Sequence, residues 1–181
     1  VTGVQTCALP ICAFPALDGH DGIAVTVDNG GANKLDAYLE VSTQYRSRPG
    51  PSGTKAATAT ITVTNTVDPA GKPDYAVGNL VGLPRGTNRM MLSVYSALPA
   101  RAMTLDGVPV TIDGRNAEIA PTTTFGWRTS AIWVDVPAGA TKVVTVELAG
   151  ALDGGGGGDP GQVIVRTQAL PIPQRYDVVT G

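Results

Sequence analysis

The sequence predicts an all-β fold: an antiparallel, immunoglobulin-like β-sandwich with one short helix near residues 33–40. Three observations point there. Between Thr54 and Val67, Ala57, Ala59, Ile61 and Val63 alternate with Thr58, Thr60, Thr62 and Thr64. This is the period of two expected of a strand with one buried and one wet face. About ten such short segments follow one another, with turn signals every 8–12 residues or so, which is the spacing of a sandwich or barrel. The 23 glycines and 14 prolines are spread between the short apolar runs, as turns between strands require. With a single short helical segment, a parallel α/β sheet is excluded.

Residues 13–22 (AFPALDGHDG) read as a loop or truncated upstream linker, and 23–181 as one sandwich domain. Ile23–Asp28 is the first strand, broken by Asn29-Gly30-Gly31. Asn33–Glu40 (NKLDAYLE) is helical: Asn33 can cap it, and Leu35, Tyr38 and Leu39 fall on one face. About two turns do not persist alone in water, so Leu35 and Tyr38 must pack on a sheet edge or an open end. Val41–Arg46 is a strand, 48–53 a loop, 54–67 the strongest strand and 69–73 a turn. Further strands are expected at Arg89–Ser96, Arg101–Leu105, Val108–Ile112, Asn116–Ile119, Thr129–Val136 and Thr141–Leu148. Asp106-Gly107 is a two-residue hairpin signal, and Pro137–Gly139 joins the last two of these strands. After the pentaglycine Gly154–Gly158, Val163–Leu170 and Tyr176–Val179 close the domain. Ile61, Val63, Val134, Val144 and Val146 are the expected core.

Charged residues make up 15% of the chain and the net charge is −2. There is no basic run, so no nucleic-acid partner is expected. No apolar window is long enough for a membrane-spanning helix. Arginine outnumbers lysine nine to four, which suggests a GC-rich genome. Val1–Ile11 (VTGVQTCALPI) resembles the translation of a short-read sequencing adapter. Residues 1–12 are therefore expected to be non-native, with native sequence from about Ala13. Cys7 and Cys12 then carry no structural disulfide.

Candidate chemistry is sparse. Asp18, His20 and Asp21 cluster in a Gly-flanked segment, but a metal site needs three or more ligands on rigid positions, and a solvated loop is the simpler reading. The pentaglycine is followed by Asp159-Pro160, not by the Lys-Ser/Thr and helix of a phosphate loop. His20 is the sole histidine and no G-x-S-x-G elbow exists. Asp36 and Glu40 are expected on one exposed helix face, and Asp135 and Glu147 outward on neighbouring strands. None of these makes a facing catalytic pair. Trp127, Trp133, Tyr95 and Phe125 are candidates for a sugar-stacking platform, but core or edge packing is the plainer role. Arg85, Arg89, Arg101 and Arg128 are the candidate contacts for an anionic polymer. No catalytic residue, cofactor or metal ligand is expected.

The run Asp28–Tyr45, centred on Asn33-Lys34-Leu35-Asp36-Ala37-Tyr38-Leu39, resembles a signature of the "domain of unknown function 4012" proteins of GC-rich Gram-positive bacteria. Thr60–Asn65 (TITVTN), Leu92–Tyr95, Trp133–Gly139 (WVDVPAG) and Gln168–Tyr176 (QALPIPQRY) extend the likeness over about 22–181. The resemblance implies a cell-envelope protein, with a membrane anchor and a phosphotransferase-like domain upstream of this segment. The expected function is a non-catalytic extracytoplasmic sandwich module, structural or weakly polymer-binding. Its partners would be the upstream domain and anionic cell-wall polymer, with membrane contact only through the upstream anchor. The alternative is an accessory domain of a membrane-anchored glycopolymer phosphotransferase-like enzyme.

Overall fold

The computed structural model describes residues 16–111, 117–119, 126–153, 159 and 161–181. The expectations for residues 1–12, Ile112, Asn116, Phe125 and the pentaglycine 154–158 lie outside the described residues.

Strands follow closely where alternation placed them. They are β1 (Asp21–Asn29), β2 (Leu39–Pro49), β3 (Lys55–Asn65), β4 (Asn88–Ser96), β5 (Ala100–Leu105), β6 (Val108–Pro109), β7 (Ala117–Ile119), β8 (Arg128–Val136), β9 (Thr141–Gly150), β10 (Val163–Thr167) and β11 (Arg175–Thr180). Sheet one has the order β10-β1-β4-β8-β7, and sheet two the order β11-β2-β3-β9-β5-β6. A short helix, α1 (Asp74–Val77), lies in the connection between β3 and β4. Its four residues carry no period that sequence reading detects.

The two sheets pack face to face as an all-β sandwich, but they are not wholly antiparallel. β10 runs parallel to β1, and β11 runs parallel to β2. Alternation reports which side chains face inward and is silent on strand direction. The route of the chain explains the exception. β1 leads from sheet one into β2 of sheet two, and β10 to β11 makes the same crossing along the outer edges of both.

Ile61, Val63, Val134, Val144 and Val146 are all fully buried in the layer between the sheets, with Ile23, Val25, Leu92 and Tyr45. Every second residue of β3 faces inward, from Lys55 to Asn65, while the intervening threonines are half-buried on the outer face. The β5–β6 hairpin turns at Asp106 (φ 51°) and Gly107 (φ 78°). Both are left-handed, as a two-residue turn matched to strand twist requires. Pro137–Gly139 is not a hairpin turn: it carries the chain from β8 in sheet one to β9 in sheet two.

The expected helix over 33–40 is shorter than its pattern. Leu35–Tyr38 forms one 3₁₀ turn, and the chain is already extended at Leu39. Leu39 satisfies both periodicities, and pairing with Asn65 of β3 settles it as strand. Asn33 still acts at the start, its Oδ1 accepting from the Leu35 N–H at 3.1 Å. Leu35 is buried against Val67 and Val77 at an open end of the sandwich, with Tyr38 packed beside them.

Alanine at Ile61 or Val146 should cost about 1–4 kcal/mol, through lost burial plus the cavity left behind. Serine at Thr62 or Thr145 should stay within about 0.5 kcal/mol of wild type. Chemical denaturation of the four variants checks the inward and outward assignment of β3 and β9.

Candidate functional site

The structure separates the Asp18–His20–Asp21 cluster instead of assembling it. Asp18 is exposed in a turn at φ 48°, and His20 is half-buried. Asp21 is not loop at all. It opens β1 and has no solvent exposure. Its Oδ2 accepts from Lys55 Nζ at 2.8 Å, and its Oδ1 accepts from the Tyr45 hydroxyl at 2.7 Å and the Gly22 N–H at 2.8 Å. β1 belongs to sheet one, whereas β2 and β3, which supply Tyr45 and Lys55, belong to sheet two. The cluster is therefore a polar clasp between the sheets. Sequence reading missed it, although Lys55 stands in phase with Ala57, Ala59 and Ile61 on the inward face.

The paired carboxylates are also dispersed. Asp36 is half-buried and accepts from Asn29 Nδ2 at 3.0 Å and Asn88 Nδ2 at 3.2 Å, while Glu40 lies on β2 near Arg175. The 3₁₀ turn ends before Glu40, which removes the shared helix face. Asp135 and Glu147 occupy different sheets, because the 137–139 connection crosses between them. Trp127 is buried with Leu17, Ala24 and Ala97. Trp133 packs over Gly30, where a Cβ would collide with its ring, and the Arg89 guanidinium stacks on it at 5.3 Å. Trp127 is buried and offers no open face, and the Arg89 guanidinium occupies one face of Trp133, so the two indoles do not form a shared sugar platform.

The four candidate arginines do not share a groove. Arg85 is tied to Asp74 at 3.0 Å and to the carbonyls of Pro69 and Lys72. Arg89 lies 3.8 Å from Asp135, opposite it on β8. Arg128 pairs with Asp153 at 2.7 Å, at the far end of the same strand. Seven residues separate the positions of Asp135 and Arg128, about 23 Å of strand. Arg101 is on β5 in sheet two.

Arg101 does have basic company, from residues the sequence reading left out. The exposed outer face of sheet two holds a groove of about 380 Å³ lined by Arg46 and Arg48 of β2, Ala56 and Thr58 of β3, Glu147 and Ala149 of β9, and Arg101. Strand register builds it. Arg46, Thr58 and Glu147 form one cross-strand row, and Arg48, Ala56 and Ala149 the next. The small side chains of β3 form the floor, and long side chains from both flanks form the walls. Arg101 is anchored by its Nε–H to the Ala149 carbonyl at 2.9 Å. Among the described residues, Arg46 and Arg48 form no salt bridge. Three guanidinium groups thus face one carboxylate across a small-residue floor. That geometry suits a chain of phosphates or carboxylates better than a neutral ligand. The signal available in the sequence was the Arg46-Ser47-Arg48 spacing, two arginines on one face of a strand.

No known protein family matches the chain, and no curated protein matches it.

Burial pushes the Tyr45 phenol well above the usual tyrosine range, with the charge of Asp21 and the hydrogen bond to it adding to the effect. Burial likewise pushes Tyr176 up to about 12. An unfolded tyrosine ionises near 10, so between roughly pH 10 and 12 the folded state holds protons that the unfolded state loses. The stability contributed by these two phenols is complete below about pH 10 and declines as pH rises through that window. Denaturant midpoints should fall over this range. Phenolate absorbance should show at least two of the five tyrosines ionising late, Tyr45 only with alkaline unfolding.

Proposed function

We propose that this chain is a non-catalytic extracytoplasmic module that holds anionic cell-wall polymer weakly, through the Arg46–Arg48–Arg101 groove on sheet two. One observation carries the reading: two arginines with no carboxylate partner among the described residues stand beside a third on an open, small-residue floor. Such sites draw polyanions through bidentate contacts and keep affinity low, because the guanidiniums stay solvated and screened. The envelope location is supported by the sequence signature centred on Asn33–Leu39, and the polymer would lie outside the membrane beside an upstream domain of the same protein. Of the arginines expected from sequence, Arg101 alone belongs to this proposal. Arg85, Arg89 and Arg128 are engaged by local carboxylates and have structural roles.

Sedimentation with purified Gram-positive cell walls tests this. The chain should be retained at low salt and released near 1 M salt, where the screening length falls to about 3 Å. Alanine at Arg46 or Arg48 should weaken retention about 2- to 5-fold each, the scale of an exposed charge contact. Alanine at Arg89 should leave retention unchanged, and Glu147→Gln should strengthen it. Absence of retention at low salt, or equal retention by an Arg46→Ala/Arg48→Ala double variant, would remove the proposal.

A further inference from the structure

We propose that Lys55 and Asp21 condense into an intramolecular amide that covalently joins the two sheets. The arrangement around Asp21 is that of an acyl-transfer site with its nucleophile already in place. Lys55 Nζ lies 2.8 Å from Oδ2, the oxygen that would leave. The other oxygen, Oδ1, receives two hydrogen bonds, from the Tyr45 hydroxyl at 2.7 Å and the Gly22 N–H at 2.8 Å. Two donors converging on one carboxyl oxygen are what an oxyanion requires when a nucleophile adds to the carbon. The reacting groups are held at contact distance by separate sheets, so the encounter costs no further ordering. Asp21 is fully buried and the Lys55 side chain is 9% exposed, so solvent approaches the pair only from the amine side.

The atoms balance without any co-reactant. The proton shared along the Nζ–Oδ2 hydrogen bond passes to Oδ2, leaving a neutral amine and a carboxylic acid. The Nζ lone pair forms a bond to Cγ, and the C=O electron pair moves onto Oδ1, where Tyr45 and Gly22 hold the negative charge. A second proton moves from Nζ to Oδ2. The Cγ–Oδ2 bond then breaks with its electron pair on the departing oxygen, which leaves as water, and the Oδ1 carbonyl reforms. Ammonium plus carboxylate becomes amide plus water, and two buried charges vanish. Loss of those charges favours the product, because a buried ion pair carries a desolvation penalty that an amide does not. Lys55 also lines a cavity of about 330 Å³ with Pro49, Gly50, Thr54 and Leu152, which gives the water an exit. The cross-link would close the chain between β1 and β3.

Intact-mass measurement of the whole chain under denaturing conditions reads the reaction directly. The folded protein should be one water lighter than its sequence. Protease digestion should yield a branched peptide joining the Asp21 segment to the Lys55 segment. Lys55→Arg, which keeps the charge but not the amine chemistry, should show the full mass, with circular dichroism reporting whether it folds. Asp21-Gly22 is also a sequence that cyclises to an imide with loss of water, so the deficit must survive hydroxylamine at mild alkaline pH, which opens an imide and leaves an amide intact. The exposed Lys142–Asp106 pair, at 2.7 Å, is an internal control and should remain uncondensed. A wild-type chain of full mass with no branched peptide overturns the proposal. So does a deficit that maps to a linear imide, or one that persists in Lys55→Arg.

Discussion

A carboxylate without solvent must be neutralised where it stands, and Asp21 imposes that condition on the whole domain. Leaving such a charge unpaired costs several kcal/mol, so the first strand of sheet one can dock only where sheet two presents Lys55 and Tyr45 together. β3 is built around this demand. Its inward positions run Lys55, Ala57, Ala59, Ile61, Val63, Asn65: apolar in the middle and polar at both ends. Asn65 is the counterpart of Lys55 at the opposite end. Its Nδ2 donates to the carbonyls of Gly86 and Val136 at 2.8 and 2.9 Å, and its Oδ1 accepts from the Val67 N–H. Between these two fastenings the packing is non-directional and would tolerate sliding. The polar ends supply the direction that dispersion and burial lack.

The second constraint is the outer edge of β1. β10 covers it only as far as Val25, which leaves the backbone around Val27 in need of partners. Side chains of the closing segment provide them. Gln168 donates to the Val27 carbonyl at 3.0 Å and accepts from the Val27 N–H at 2.8 Å, so one amide imitates a neighbouring strand. Gln174 donates to the Val25 carbonyl and the Tyr176 hydroxyl accepts from the Val25 N–H. The prolines at 171 and 173 suit a crossing between sheets, where no ladder hydrogen bond is lost. The run QALPIPQRY is thus an edge-sealing device, and it explains why the last two strands retrace the first two in parallel.

Strands were legible in the sequence because period-two alternation survives translation into burial. Ile61 and Val63, and Val144 and Val146, are inward as their spacing required. The parallel edges were not legible, since direction leaves no mark on a strand's own residues. The short helix was half legible: Asn33 and Leu35 behave as a start and an anchor, but Leu39 obeyed its strand partner. Asp36 shows why the acidic pair was misjudged. Helical geometry placed it beside Glu40 in solvent, whereas the 3₁₀ turn delivers it to Asn29 and Asn88. The candidate arginines failed as a set for a related reason. Proximity in sequence between 85 and 128 spans both sheets, and charge counts carry no information on which face a residue occupies. Arg46 and Arg48 were recoverable from their spacing, because two residues apart on a strand means the same side.

The two outer faces of the sandwich have diverged, and that asymmetry decides where a ligand can act. Sheet one is covered from outside by Leu17 and Trp127 packed on Ala24 and Ala97, with Tyr95 and Ile164 around them. Further along, the Arg89 guanidinium lies on Trp133. These side chains cover part of the sheet's surface. Sheet two turns a threonine lawn outward along β3, half-buried and short, with three arginines gathered at one end and Arg175, paired with Glu40, toward the other. A flat floor with charged walls admits an extended polymer and gives it no enclosing pocket, so affinity there must come from charge and repetition more than from burial. The inter-sheet clasp and the groove lie close in the same strands: Tyr45 points inward from β2 between residues 44 and 46 that point out, and Lys55 precedes Ala56 of the groove floor. A covalent tie between the sheets at Lys55 would therefore stiffen the end of sheet two that presents the arginines. Its load would pass straight from a polymer held on β2 and β3 into β1 and sheet one.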